Sequence, residues 1–301
     1  MRPERRGTLY GAAAYLLWGL FPLYWPLLEP ATPVEILAHR FVWSLVVVLA
    51  VLAAGRGLRW LPGLLRDRRR SLRLAAAGVV ITANWGTYIY GVNTGHVVET
   101  SLGYFINPLV TVVLGVVVLG ERLRAAQWTA VGIATVAVGV LTVDYGRPPW
   151  LALVLALSFG TYGLLKKQAD TGAVESLTVE TAVLFLPALT LLTVLQAQGT
   201  GTFGRVSLGH TLLLVGSGVV TAVPLLFFGA AATRVPLTTL GLLQYLAPTL
   251  QFLIGVLVVR EPLPPVQLLG FGLVWAALAL FTTDALRHRR RQLRLAVDAI
   301  T

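Results

Sequence analysis

Residues 140 positions apart match along this 301-residue chain, and each copy of the repeat holds an odd number of apolar spans. Pro108 recurs as Pro248, Gly115 as Gly255, Glu121 as Glu261, Gln127 as Gln267, Gly132 as Gly272 and Thr142 as Thr282. The same offset links Gly78 to Gly218 and Glu35 to Glu175. In an apolar chain, valine on valine is an expected accident. Pro, Glu, Gln and Gly holding one register is not. A copy that crosses the membrane five times leaves the chain on the opposite face, so the second copy is inverted relative to the first. Inverted repeats let many secondary transporters build two access states from one architecture.

The spans follow from composition. Hydrophobic residues make up 56% of the chain and charged residues 12%, with a mean hydropathy of +0.77. A soluble chain carries about twice that charge. Ten apolar stretches of roughly 17 to 23 residues are each long enough to cross a ~30 Å core as a helix. They lie near 8–28, 35–54, 72–92, 98–119, 126–143, 149–166, 177–196, 211–232, 237–259 and 266–283. The runs are continuous rather than alternating, which excludes a barrel. The first stretch is long and aromatic and lacks a small-residue cleavage site, so it does not read as a cleaved signal. The expected fold is an all-α polytopic membrane protein of ten transmembrane helices in two inverted five-helix repeats. Residues 1–6 form a cytoplasmic N-terminus, 7–143 and 148–283 the two repeats, and 284–301 a basic cytoplasmic tail whose last fifteen residues are expected to fray. A short interfacial helix is expected around Trp60 to Leu65, and Pro108 and Pro248 are expected to break or hinge helices four and nine. The Gly/Thr-rich loop 197–210 is expected to be mobile.

The net charge of +11 could suggest nucleic acid, but its placement points elsewhere. With the N-terminus inside, the inner segments hold 20 of the 24 Lys and Arg residues. The outer loops hold only Arg147, Arg205 and Arg260, and Arg40 lies within a span. That is a strong positive-inside bias, and it independently requires an even number of spans. The runs Arg66 to Arg70 and Arg287 to Arg291 read as topology anchors that meet anionic lipid at the cytoplasmic face. No fold or aromatic platform for nucleic acid accompanies them.

Ionisable groups within a span cost roughly 2.5 kcal/mol or more unless paired or hydrated. Two clusters of them stand out. The outer one holds Glu35, His39 and Arg40, with His96 and Glu99 before span four. Asn84, Trp85 and Tyr88 share one helix face of span three, near Tyr90 and Asn93, and Tyr104 and Asn107 are neighbours on span four. The inner cluster holds Lys166, Lys167, Glu175, Glu180 and Arg234. Arg40 and Glu180 are repeat equivalents, but inversion sends them in from opposite faces, which separates them by roughly 15 Å. The expected pairs are therefore Arg40 with Glu99, and Glu180 with Lys167 or Arg234. Structural glue and function both remain open for His39, Arg40 and Glu180. Asn84, Trp85, Tyr88 and Asn107 suit a cavity for a substrate with rings and hydrogen-bonding groups. Glu121 and Glu261 stand where the following helix begins, and a carboxylate there complements the helix dipole.

Enzyme chemistry lacks a signature. There is no HExxH, no phosphate-binding GxxxxGK[ST] and no Gly-x-Ser-x-Gly elbow. Cysteine is absent, so thiolate metal sites are excluded, and no metal or cofactor is expected. His39, His96 and Glu99 could carry a coupling proton, since histidine titrates near neutral pH.

Longer blocks carry a resemblance. One is Ala38-His39-Arg40-Phe41-Val42-Trp43-Ser44. Another runs from Asn84-Trp85-Gly86-Thr87-Tyr88 through Asn93, His96 and Glu99 to Tyr104 and Asn107-Pro108. Gly120-Glu121-Arg122-Leu123, Val223-Pro224-Leu225, Gln244-Tyr245, Ala247-Pro248 and Arg260-Glu261-Pro262 continue the match. Together they resemble the RarD proteins, a branch of the EamA-type transporters in the drug/metabolite transporter superfamily. The resemblance covers about 7 to 283. It implies a central pathway lined mainly by spans 1, 3, 4, 6, 8 and 9. Trp18, Asn84, Tyr88, Asn107, Tyr162, Gln244 and Tyr245 are then lining residues, and spans 2 and 7, with Arg40 and Glu180, are more peripheral. Family members are commonly labelled chloramphenicol-sensitivity proteins, a label that does not establish the transported compound.

The expectation is a secondary-type permease for a small organic metabolite or drug-like compound in a bacterial plasma membrane, working by alternating access, with export favoured. A homodimer is compatible with the sequence. The rival is a non-transporting scaffold or regulatory subunit, which a pathway filled by bulky apolar side chains would favour.

Overall fold

The computed structural model describes residues 3–298 except 56, 58, 121, 233, 236–238 and 241–242. Among the described residues the protein is all helical. The helices are α1 (Pro3–Gly19), α2 (Phe21–Tyr24), α3 (Pro33–Ala54), α4 (Leu61–Arg66), α5 (Arg68–Asn93), α6 (Val97–Leu119), α7 (Ala125–Tyr145), α8 (Trp150–Ala169), α9 (Ala173–Ala197), α10 (Leu208–Ala232), α11 (Leu246–Ile254) and α12 (Pro265–Asp298). A 3-10 turn (Trp25–Leu28) follows α2, and a π turn (Gly255–Val259) follows α11.

Six helices (α3, α6, α7, α9, α10 and α12) are long and apolar enough to cross a membrane. A seventh candidate is the α1–α2 pair, bent by 41°. Trp150–Lys166 and Leu246–Val259 are shorter apolar helices. α5 is 26 residues long and begins in the run Arg68 to Arg73. The interfacial helix expected near Trp60 is α4.

Helix ends follow local chemistry. Thr32 caps α3, its Oγ1 accepting from the Glu35 amide at 3.3 Å, with Pro33 in the first turn where its missing N–H is harmless. Asp67 caps α5 by accepting from the Arg70 amide at 3.1 Å. α6 ends at Gly120, whose φ of 68° is the left-handed conformation that glycine adopts freely.

Three expectations are corrected. α6 runs unbroken through Pro108, whereas Pro248 sits in the first turn of α11, so the two prolines are not equivalent hinges. The last fifteen residues are expected to fray, whereas α12 continues through them to Asp298. The loop after α9 is tied down: the Thr202 amide and hydroxyl both donate to Glu35 Oε1, at 2.7 and 2.9 Å.

The bundle packs through a defined set of helix pairs. α5 and α6 pack on α8; α1 packs on α10 and α11; α3 packs on α9 and α10; α5 also meets α9; α6 meets α11; and α7 meets α12. The α7–α12 seam uses Ala130, Ala134, Ala137 and Leu141, spaced to share one face, against Phe271, Val274 and Leu278. Gly218 lies so close to the backbone of Trp43 on α3 that any Cβ would collide. Its repeat mate Gly78 lies against the Glu180 backbone on α9, at 3.3 Å from a would-be Cβ. Both permit the close helix approach typical of membrane bundles. Large apolar side chains are exposed around the bundle, among them Val143 at 83%, Leu208 at 75% and Leu186 at 69%, as suits helices solvated by lipid.

Candidate functional site

Polar contacts between loops sort into two ends of the bundle. At the arginine-poor end, the Val97 and Val98 amides donate to Glu261, Arg147 pairs with Glu99 and Gln267 bonds Asp144. At the arginine-rich end, Arg124 pairs with Asp284 and Arg73 donates to the Gln168 carbonyl.

Glu261 therefore caps an α-helix, but the helix is α6 rather than the one that follows it in sequence. Its two acceptor oxygens meet two of the orphan amides at the α6 N-terminus. Burial pushes its carboxyl above the ordinary value of 4.5 and outweighs the Val98 and Val97 amides, which act the other way. The equivalent Glu121 lies outside the described residues. Beside this cap, Val98 crowds Gly255 of the π turn, with 2.9 Å from a would-be Cβ to the valine Cγ2.

Glu99 does not pair with Arg40. It is 3% exposed and accepts from Arg147 at 2.8 and 3.3 Å and from the Leu151 amide at 3.2 Å. Charge counting treats Arg147 as a loop residue, and its side chain folds back onto the helix ends. Donating to the Glu99 carboxylate raises the Arg147 guanidinium above its ordinary value. His96 stands at the N-cap of α6, its Nδ1 3.0 Å from the Thr94 hydroxyl.

At the other end, the partner of Glu180 is Lys166, at 3.2 Å, one residue from the expected Lys167, whose side chain is outside the description. Glu180 also accepts from Tyr162 at 3.0 Å and from Ser176, one turn earlier on α9. Lys166 donates in turn to Tyr162 at 3.0 Å. Buried carboxylate, ammonium and two hydroxyls form a closed network.

Arg40 departs furthest from expectation. α3 is not merely peripheral, because the long Arg40 side chain reaches inward. Its Nε donates to Thr221 of α10 at 2.7 Å, and its guanidinium lies 3.8 Å from the Trp85 ring centroid, 5.0 Å from Trp25 and 5.5 Å from Phe21. Phe21 and Trp25 lie just past the 41° bend between Gly19 and Phe21, in a segment that packs on α5 and α10. Arg40 Nη1, the Tyr88 hydroxyl and Trp25 Nε1 are all buried without a hydrogen-bond partner. Sequence reasoning passes over Phe21, Trp25 and Thr221; the signal available is an unusually aromatic segment broken by Pro22 and Pro26.

The remaining predicted lining residues divide. Asn84 is fully committed: its Nδ2 donates to the Leu155 carbonyl at 2.9 Å and to Ser158 at 3.0 Å, while its Oδ1 accepts from Tyr104 at 3.1 Å. It is a pin joining α5, α6 and α8. Tyr104 in turn meets Tyr88 edge-on at 5.6 Å. Asn107 is 8% exposed and accepts from Thr111. Asn93 Oδ1 is buried and unpartnered at the arginine-poor end. Trp18 packs edge-on against Tyr15, and its carbonyl accepts from Gln251 at 3.1 Å. Gln244 and Tyr245 form the turn before α11, with Tyr245 against the α6–α12 core. His39 accepts from Trp43 at 3.2 Å and stacks on Phe203, leaving Nε2 unpartnered. It borders a cavity of about 310 Å³ with Glu35, Leu192 and Gln196, on the outer flank of the α3–α9 seam. A second cavity of about 470 Å³ lies on the same seam near Trp60, Glu175 and Leu225.

Comparison with known proteins bears on this geometry. The EamA-like transporter family model matches twice, over residues 5–143 and 148–283. Protein RarD of Streptomyces exfoliatus is 60% identical over 96% of this chain and 91% of its own length. An uncharacterized transporter of Pseudomonas aeruginosa is 45% identical (95% and 96% covered), and Protein RarD of Escherichia coli K12 is 40% identical (96% and 98%). A solved crystal structure at 21% identity superposes with a TM-score of 0.59 over 91% of this chain and 96% of that one, which supports the fold alone. The matched family and the Pseudomonas relative are transporters by name, and the helices are those of a multi-pass membrane protein. The chain belongs to the EamA-like transporter family, in its RarD branch.

Proposed function

We propose that the chain is a ten-helix secondary permease of a bacterial plasma membrane, built from two inverted five-helix repeats with both termini cytoplasmic. It moves a small organic metabolite or drug-like compound by alternating access, with export favoured. The observation that carries this is the helix-packing map. Counting the α1–α2 pair as span one and α11 with its π turn as span nine, every major contact has a mate five spans away. Spans 3 and 6 match 8 and 1, spans 4 and 6 match 9 and 1, and spans 2 and 8 match 7 and 3, while 2–7, 4–9 and 5–10 map onto themselves. An interface set that exchanges onto itself can settle in two closures related by a pseudo-two-fold axis.

In this reading the Glu261 cap and the Gly255–Val98 contact close the outer face, and the arginine-rich face meets the cytoplasm and its anionic lipid. The rings and hydroxyls around Arg40 line the middle of the pathway. A coupling proton and a homodimer fit this scheme equally.

The chain has no cysteine, so a crosslink test is clean. Val98→Cys with Gly255→Cys places two thiols within disulfide reach. Proteoliposomes are assayed for uptake of a labelled panel of organic acids, amines, sugars and chloramphenicol, with and without a pH gradient. Transport by the reduced protein, lost on oxidation and regained on reduction, supports alternating access. Full transport by the oxidised protein refutes it.

A further inference from the structure

Arg40 is 2% exposed, and no carboxylate lies within 4.0 Å of it among the described residues. The acids of the outer cluster are committed elsewhere: Glu35 to Thr202, Glu99 to Arg147 and the Leu151 amide. A guanidinium presents five N–H donors in a planar fork and cannot shed its charge. Thr221 satisfies Nε. Three aromatic faces cushion the cation, but they leave Nη1 without an acceptor.

Two further donors share the patch. The Tyr88 hydroxyl and Trp25 Nε1 are buried and unpartnered, and both side chains belong to one packed cluster with Phe21. Three donors without an acceptor around a bare cation form a site for an anion.

We infer that Arg40, with Tyr88 and Trp25, receives the carboxylate of a small aromatic monoanion whose ring packs among Phe21, Trp85 and Tyr104. The inference deepens the permease reading above by naming its substrate class. The charge sets the valence: one arginine and two neutral donors balance one negative charge, and a dianion would leave an uncompensated charge in the membrane interior. The geometry sets the approach, because Trp85 covers one guanidinium face at 3.8 Å, so the carboxylate meets the N–H edge at Nη1. The walls set the body of the ligand, since Phe21, Trp25, Trp85, Tyr88 and Tyr104 bring paired rings to the patch among aliphatic neighbours such as Leu28 and Ile36.

The test uses the full-length protein in detergent and in proteoliposomes. Probes are benzoate, phenylacetate and indole-3-acetate, each paired with its primary amide, which keeps the ring and removes the charge. Binding is read by thermal unfolding and tryptophan fluorescence, and flux by counterflow of the labelled acids. At least one acid should bind about 100-fold more tightly than its amide, and Arg40→Gln should erase that preference. Tyr88→Phe, which deletes only an unpartnered hydroxyl, should weaken the acid by about 10-fold and leave the amide unchanged. It keeps the test decisive if the arginine variant fails to fold. Equal binding of acids and amides, undiminished acid binding by Arg40→Gln, or no binding of any acid overturns the proposal. Flux of neutral or cationic solutes by a wild-type protein that binds no acid would overturn the anion site while leaving the permease reading intact. Acid binding without flux of any solute would do the reverse.

Discussion

Arg40 and Glu180 occupy equivalent positions in the two repeats, both nearly fully buried on the helices that form the α3–α9 seam. Glu180 is answered from three sides, by Lys166, Tyr162 and Ser176. Arg40 has one neutral oxygen, three rings and an unpartnered Nη1. The same position therefore carries opposite charges under opposite conditions. A buried ion inside a closed network holds helices together, whereas a buried ion left bare keeps its interaction capacity for something that comes and goes. The scaffold obeys the repeat and the chemistry breaks it.

Four variants probe that contrast. Arg40→Met should have the largest effect on activity, a loss of about 100-fold or more in uptake of aromatic acids by proteoliposomes. It should not destabilise, because an apolar side chain of similar volume removes an uncompensated buried charge. Glu180→Gln should do the opposite. It leaves Lys166 unpaired and should lower unfolding free energy by about 2 kcal/mol, measured by denaturant titration, with flux per folded molecule preserved. Arg147→Gln should cost less, about 1 kcal/mol, because Arg147 is 39% exposed and the Leu151 amide still meets Glu99. The smallest effect belongs to Glu261. Its carboxyl is raised above 4.5 by burial, so its stabilising share is fully present below that value and fades as pH rises through the raised one. Stability measured from pH 4 toward pH 7 should carry a shallow fall from this group, which Glu261→Gln flattens.

The helices were legible because lipid imposes a simple rule of length and apolarity: nine of the ten expected stretches fall on helices or helix pairs, and 237–259, which lies partly outside the described residues, is helical from Leu246 onward. The 140-residue echo paired Gly78 with Gly218, and both sit at close helix contacts, which the offset alone does not specify. Partner choice was not legible. Arg147 looked like a loop charge, and only the fold shows that the turn after α7 sets it on Glu99. Lys166 and Lys167 are adjacent in sequence, and helical phase puts Lys166 at Glu180. Asn84 looked like a cavity wall and proves to be a pin, since the α8 carbonyl it binds is invisible in a one-dimensional pattern. Arg40 was set aside because its helix is expected at the edge, yet a long side chain crosses the space that the helix axis does not. The Ser176–Glu180 bond, four residues apart on one helix, was within reach of spacing alone.

The most direct test of the contrast is thermal unfolding of wild type, Arg40→Met and Glu180→Gln in one detergent, with and without phenylacetate. The expected result is an Arg40→Met midpoint at or above wild type with no response to the acid, and a lowered Glu180→Gln midpoint that phenylacetate still raises. An Arg40→Met midpoint depressed as far as that of Glu180→Gln, with the phenylacetate response intact, would contradict the account and make Arg40 a structural residue like its mate.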